Sequence, residues 1–128
     1  MYVSKLQVTY DGGQHCTALQ ETKGKTVTIG RGEEFSPWEL VGAGLAGCMF
    51  WSMDTSARLN KLDISGARVE VIISMLPMRI QAIDLTFTMP GNLSAPDRAN
   101  LERAAEMCPI KRSIHTDIPI SVRFNYQE

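Results

Sequence analysis

Ser36-Pro37-Trp38-Glu39-Leu40-Val41-Gly42-Ala43-Gly44-Leu45-Ala46-Gly47-Cys48-Met49-Phe50-Trp51 is where the pattern of this chain changes. Ser36 suits a helix N-cap and Pro37 the first helical position. Glu39, third after the cap, is placed to reach back to the cap amide. The spacing predicts a helix from Pro37 to about Leu59. Gly42, Gly44 and Gly47 each cost a helix about 1 kcal/mol against Ala. A helix that tolerates them is expected to pack closely against another backbone and to be buried on most sides. Polar residues return only at Asp54, Ser56, Arg58 and Asn60.

On the N-terminal side of this helix the period is two. Tyr2, Ser4, Leu6, Val8 and Tyr10 share one face, with Val3, Lys5, Gln7 and Thr9 on the other, as in a strand. Asp11-Gly12-Gly13 offers a hairpin turn. A second strand over His15 to Gln20, a turn at Lys23-Gly24-Lys25 and a third strand over Thr26 to Ile29 follow. Gly30 to Phe35 is a polar loop. On the C-terminal side, Gly66 to Leu76 and Arg79 to Met89 alternate around Pro77, which predicts two long strands in a hairpin. Ser94-Ala95-Pro96-Asp97 opens a second helix, with Leu101, Ala104, Ala105 and Cys108 on one stripe. Pro109 either stops that helix or starts a short one through Ile114. Ile118, Ile120, Val122 and Phe124 form a last strand. The order βββ-α-ββ-α-β is α+β. No internal repeat or linker interrupts it, so residues 1–128 are expected to form a single domain.

Of the 128 residues, 44 % are apolar; 13 basic residues face 14 acidic ones, for a net charge of −1. A general grip on nucleic acid phosphates needs a basic excess, so no nucleic acid partner is expected. Three Cys rule out a complete disulfide framework, and no CxxC spacing suggests zinc. Free thiols suit a reducing, cytoplasmic setting. Met1 to Tyr10 lacks the apolar core of a signal peptide. The longest uncharged apolar-rich stretch, Leu40 to Met53, falls short of the ~20 residues of a membrane span, so no membrane association is expected.

Chemistry narrows to the thiols. Cys48, mid-helix among Met49, Phe50 and Trp51, is either an inert buried thiol or a nucleophile. Cys108 ends the apolar stripe and precedes Pro109. It is either a packing residue or a thiol whose charged form is favoured by the amides of a new helix, with Lys111, Arg112 and His115 nearby. Cys16 on a strand lacks supporting context. His15 and His115, the only histidines, have no local metal-ligand spacing. Gly30-Arg31-Gly32 is no phosphate loop, and no Ser sits in a nucleophile elbow.

Two segments together resemble the OsmC/Ohr family (osmotically inducible protein C and organic hydroperoxide resistance protein). Ser36 to Cys48 is similar to its N/S-P-x-E-L…A-x-C helix. Ala104-Ala105-Glu106-Met107-Cys108-Pro109-Ile110-Lys111-Arg112-Ser113-Ile114 is similar to its A-x-x-x-C-P-[VI]-x-x-[SL] motif. The two cysteines stand sixty residues apart, and the element order agrees over nearly the whole chain. The resemblance implies antiparallel sheets around two central helices and an intertwined homodimer with sites at the interface. It implies a two-cysteine cycle on hydroperoxides, part of oxidative-stress defence. Cys48 is then the peroxidatic thiolate and becomes a sulfenic acid, Cys108 resolves it to a disulfide, and a dithiol, lipoyl-based in some relatives, restores both. No metal or cofactor is implied.

A free thiol is only a few per cent ionised at neutral pH, so a cation is needed. In the Ohr branch an N-terminal Arg does this, steadied by a Glu directly after the motif's Pro. Here Trp38 follows Pro37, the carboxylate is Glu39, and no Arg precedes Arg31, the strands offering Lys5, Lys23 and Lys25. The chain thus resembles a divergent OsmC-like branch. Arg31 is the candidate cation, or else a solvated loop charge, with Arg112 second. Glu39 is its candidate partner, or else only a cap. Trp38, Phe50 and Trp51 line an apolar pocket, or else are plain core or interface. Two functions stand: a thiol-dependent hydroperoxide reductase, or a non-enzymatic dimeric module binding a small apolar or acyl ligand.

Overall fold

The computed structural model describes residues 3–32 and 34–127. Tyr2, assigned above to the first strand, lies outside them. The described residues form six strands and three helices, in two compact units that divide between Leu40 and Val41.

The first unit holds β1 (Leu6–Gly12), β2 (His15–Gln20) and β3 (Lys25–Ile29), an antiparallel sheet in that order. β1 runs further than the sequence predicts. A register shift between Tyr10 and Gly12 takes Asp11-Gly12 into the strand, and the tight turn moves on to Gly13-Gln14, with φ of 61° and 65°. Two positive φ values are what a hairpin needs to follow the strand twist. The register puts Leu6, Val8, Tyr10, Cys16, Ala18, Val27 and Ile29 on one face. Leu6, Val8 and Tyr10 on that face are exposed. After β3 the chain doubles back. The Gly30 N–H donates to the Phe35 carbonyl at 2.9 Å, and His15 Nδ1 pairs with Glu34 Oε2 at 2.6 Å.

Helix α1 (Pro37–Leu59) begins with the expected reciprocal cap. The Ser36 N–H donates to Glu39 Oε1 at 2.8 Å, and the Glu39 N–H to Ser36 Oγ at 3.3 Å. Two of the helix's otherwise unpartnered donors are satisfied this way.

From Val41 onward α1 is part of the second unit. That unit also holds β4 (Arg68–Leu76), β5 (Arg79–Met89), α2 (Ala95–Glu106), α3 (Pro109–Ser113) and β6 (Ile120–Tyr126). The sheet order is β4-β5-β6. β4 and β5 form the expected antiparallel hairpin, but β6 lies parallel to β5, from Ile83 opposite Ile120 to Met89 opposite Tyr126. The expectation of purely antiparallel sheets is corrected here. The α2–α3 crossover is long enough to return the chain in the same direction, which a tight hairpin cannot do.

The core lies between α1, the sheet and α2. Leu45, Met49, Met53 and Ala57 recur every four residues on one side of α1 and are fully buried, as are Ile83, Phe87, Met89, Leu101 and Ala105. Phe87 has its ring centre 5.1 Å from both Phe50 (edge-on) and Phe124 (stacked). α2 is anchored to the sheet by Arg98, which bonds the Leu93 and Gly91 carbonyls and lies 4.3 Å over the Tyr126 ring.

α1 departs from the expected burial on most sides. Gly42 is closely packed: a Cβ there would lie 2.5 Å from Ile73 Cδ1 and 3.2 Å from Val71 Cγ1. At Gly44 and Gly47 a Cβ would meet nothing within 4 Å. Val41, Gly44, Trp51, Thr55 and Arg58 follow helical spacing along an exposed stripe. Trp51 is 81 % exposed, so it is neither core nor pocket wall to the sheet. One three-stranded sheet and α2 cover one side of a long helix, not its whole circumference.

Candidate functional site

The two motif cysteines meet. Cys48 is half-buried on α1, one turn after Leu45. Cys108 is fully buried between α2 and α3, where it is the N-cap of α3. Its sulfur accepts from the Lys111 N–H at 3.4 Å, and its thiol points to the Leu45 carbonyl oxygen at 4.0 Å. Cys48 is its neighbour, close enough to act on its titration. Burial pushes the Cys108 thiol up from its ordinary pKa, and the neighbouring Cys48 pushes it the same way. The Lys111 and Ile110 amides of α3 pull in the opposite direction without prevailing. Desolvation disfavours a thiolate, and an exposed helix end favours it; here the first effect wins. Cys108 is therefore kept as a thiol. Cys48 is the sulfur that a molecule from solution reaches first.

The other two candidates belong to the first unit. Arg31 is exposed in the loop after β3. Glu39 is held by the Ser36 cap, whose backbone amide and then hydroxyl lower its pKa. Arg112 is exposed on α3. The aromatic candidates divide. Phe50 is core, Trp51 is solvent-facing, and Trp38 lines a cavity of about 290 Å³ in the first unit, with Tyr10, Cys16, Ile29, Arg31 and Pro37 among its walls. Cys16, which has no context in the sequence, thus stands at the edge of an apolar pocket. Among the described residues no cluster of three or more His, Cys, Asp or Glu is arranged to hold a metal.

Two pairs near these residues have no signal in the sequence. Glu106 and Lys111 form an ion pair at 2.6 Å across the α2–α3 break. Their separation of five residues matches no helical period. His15 and Glu34 lie nineteen residues apart and meet only because the loop folds back.

Comparisons with known proteins place these features in context. A family model for OsmC-like protein matches residues 30–123. A crystal structure of a candidate osmotic stress induced and detoxification response protein from Psychrobacter arcticus superposes with a TM-score of 0.88 at 30 % identity, covering 98 % of this chain and 96 % of that one. An OsmC-like protein from Mycoplasma pneumoniae has a TM-score of 0.81 at 16 % identity over 99 % of both chains. The organic hydroperoxide resistance protein OhrB of Bacillus subtilis has a TM-score of 0.73 at 17 % identity, covering 97 % of this chain and 98 % of that one. The last two likenesses are of fold. No curated protein matches the chain.

Proposed function

This chain belongs to the OsmC-like family, and on that premise we propose that it is a thiol-dependent hydroperoxide reductase. The observation that carries the reading is the Cys108 thiol, buried and neutral, packed beside the more accessible Cys48. In the first step Cys48, as thiolate, attacks the peroxide O–O bond. One oxygen stays on sulfur as a sulfenic acid and the other leaves as an alkoxide that takes up a proton. In the second step the Cys108 thiol displaces water from that sulfenic acid and a disulfide forms. A dithiol of the lipoyl type then exchanges with the disulfide and returns both thiols.

Arg31 is the cation assigned to the Cys48 thiolate and the leaving oxygen, with Arg112 as the second choice. Glu39 caps α1 through one carboxylate oxygen, and this reading assigns it to Arg31 as the steadying partner. The active unit is a homodimer. The uncovered stripe of α1 and the open apolar face of β1-β2-β3 are the surfaces that support this. Free thiols at Cys16, Cys48 and Cys108 suit a cytoplasmic setting, and among the described residues no helix is long and apolar enough to cross a membrane.

Mass spectrometry of the intact protein after one equivalent of organic hydroperoxide tests the cycle. Wild type loses two hydrogens, Cys108→Ser holds a sulfenic acid that dimedone traps, and Cys48→Ser does neither. Equal peroxide turnover in Cys48→Ser and wild type refutes it.

A second reading, binding of a small apolar or acyl ligand without chemistry, draws on the cavity beside Trp38 and Cys16. It predicts saturable quenching of Trp38 fluorescence that survives Cys48→Ser, with no peroxide-dependent disulfide in the wild type.

A further inference from the structure

Cys108 lies at a break between two helices, and an ion pair straddles that break. Glu106 is the last residue of α2 and Lys111 the third of α3. Their side chains meet at 2.6 Å, with that of Lys111 only 22 % exposed. The backbone N–H of the same Lys111 bonds the Cys108 sulfur. α3 has five residues, none of them buried. A helix so short does not hold its shape by itself, and burial acts only at its two ends, through Cys108 and Ile114. Between those ends its restraints include the ion pair, the Arg112 N–H bonded to the Cys108 carbonyl at 3.1 Å, the Ser113 hydroxyl bonded to the Pro109 carbonyl at 2.8 Å, and the cap that the Cys108 sulfur provides.

We propose that the Glu106–Lys111 pair is a positioning device for the Cys108 thiol. It holds α3 so that Cys108 stays against Cys48 and captures the Cys48 sulfenic acid before a second hydroperoxide does. This rests on the two-cysteine reading above. In the captured branch Cys48–SOH and Cys108–SH become a disulfide and water, with no other reagent. In the competing branch a second hydroperoxide gives one oxygen to the sulfenic sulfur. That leaves a sulfinic acid and releases an alcohol. Small displacements of a reacting group change such rates steeply, whereas a partly exposed ion pair contributes little to folding. The pair therefore acts on the ratio of the two products.

The test uses Lys111→Met, which keeps the aliphatic stem, and Lys111→Arg, which keeps the charge. With excess tert-butyl hydroperoxide, intact mass reads the ratio of sulfinic acid to disulfide. That ratio depends on neither the amount of folded protein nor the rate of the first step. It rises about threefold in Lys111→Met and returns towards wild type in Lys111→Arg. An unchanged ratio in Lys111→Met, or the same rise in both variants, overturns the proposal. A second measurement needs no peroxide. In a Cys16→Ser, Cys48→Ser background, N-ethylmaleimide alkylates Cys108 about threefold faster once Lys111→Met is added. If wild type forms no sulfenic acid and this acceleration still appears, the reductase reading fails and the clamp on Cys108 stands. If alkylation does not accelerate, the clamp itself is wrong.

Discussion

Gly44 and Gly47 test the homodimer directly, because the structure sets what alanine does there in a lone chain. A Cβ at either position meets nothing within 4 Å. Each Gly→Ala change then brings only the helix-propensity gain of about 1 kcal/mol, so the double variant of a monomer gains about 2 kcal/mol. Gly42 is the internal contrast. There a Cβ lies 2.5 Å from the end of the Ile73 side chain, and the overpacking, typically about 1–3 kcal/mol, offsets the same gain. If the uncovered stripe of α1 packs on its two-fold mate, an added methyl at Gly44 or Gly47 is met by the partner helix, and each clash occurs twice. The expected outcome is a weaker dimer, with association falling about tenfold for every 1.4 kcal/mol lost. Light scattering across a dilution series reads the association, and urea unfolding at several protein concentrations reads the stability. A double variant that is about 2 kcal/mol more stable, with its concentration dependence unchanged, would refute the assignment of this stripe to the interface.

Two further expectations follow from the packing and the cap. Phe87→Ala removes a fully buried ring that touches Phe50 and Phe124. The loss should be about 3–5 kcal/mol in urea unfolding, and a loss below about 1 kcal/mol would show that the core collapses around the gap. The Glu39 pKa is lowered in the folded state from an ordinary value near 4.5. Its charged cap therefore contributes above that value and is lost as the pH falls through the folded-state pKa. Glu39→Gln keeps an acceptor for the Ser36 amide but cannot titrate. Its stability should decline less steeply than wild type on acidification below about 4.5; parallel curves would mean the cap charge plays no part.

Much of the architecture is legible in the sequence. His15 to Gln20 and Arg79 to Met89 are strands with the expected bounds, and α1 starts at Pro37 and ends at Leu59. Alternation, caps and Pro positions are local signals, and local hydrogen bonding obeys them. The turn after β1 lies one residue beyond the place its glycines suggest, because three consecutive residues, Gly12, Gly13 and Gln14, all take positive φ. A glycine pair alone does not say which two close the hairpin. The Gly-rich stretch promised close packing, and only Gly42 finds it within the chain. Small side chains permit an approach but do not say what approaches.

The local elements, their order and the family were thus determined by the sequence itself, since period and capping depend on neighbours a few residues away. Tertiary structure alone decided three things: that β6 runs parallel to β5, that the Cys108 sulfur is dry and beside Cys48, and that Glu106 reaches Lys111 across a helix break. Each depends on where elements distant along the chain come to rest, and so does the desolvation that keeps Cys108 a thiol. A solvation energy of that kind belongs to the place a group occupies in the fold and has no counterpart in the residues on either side of it.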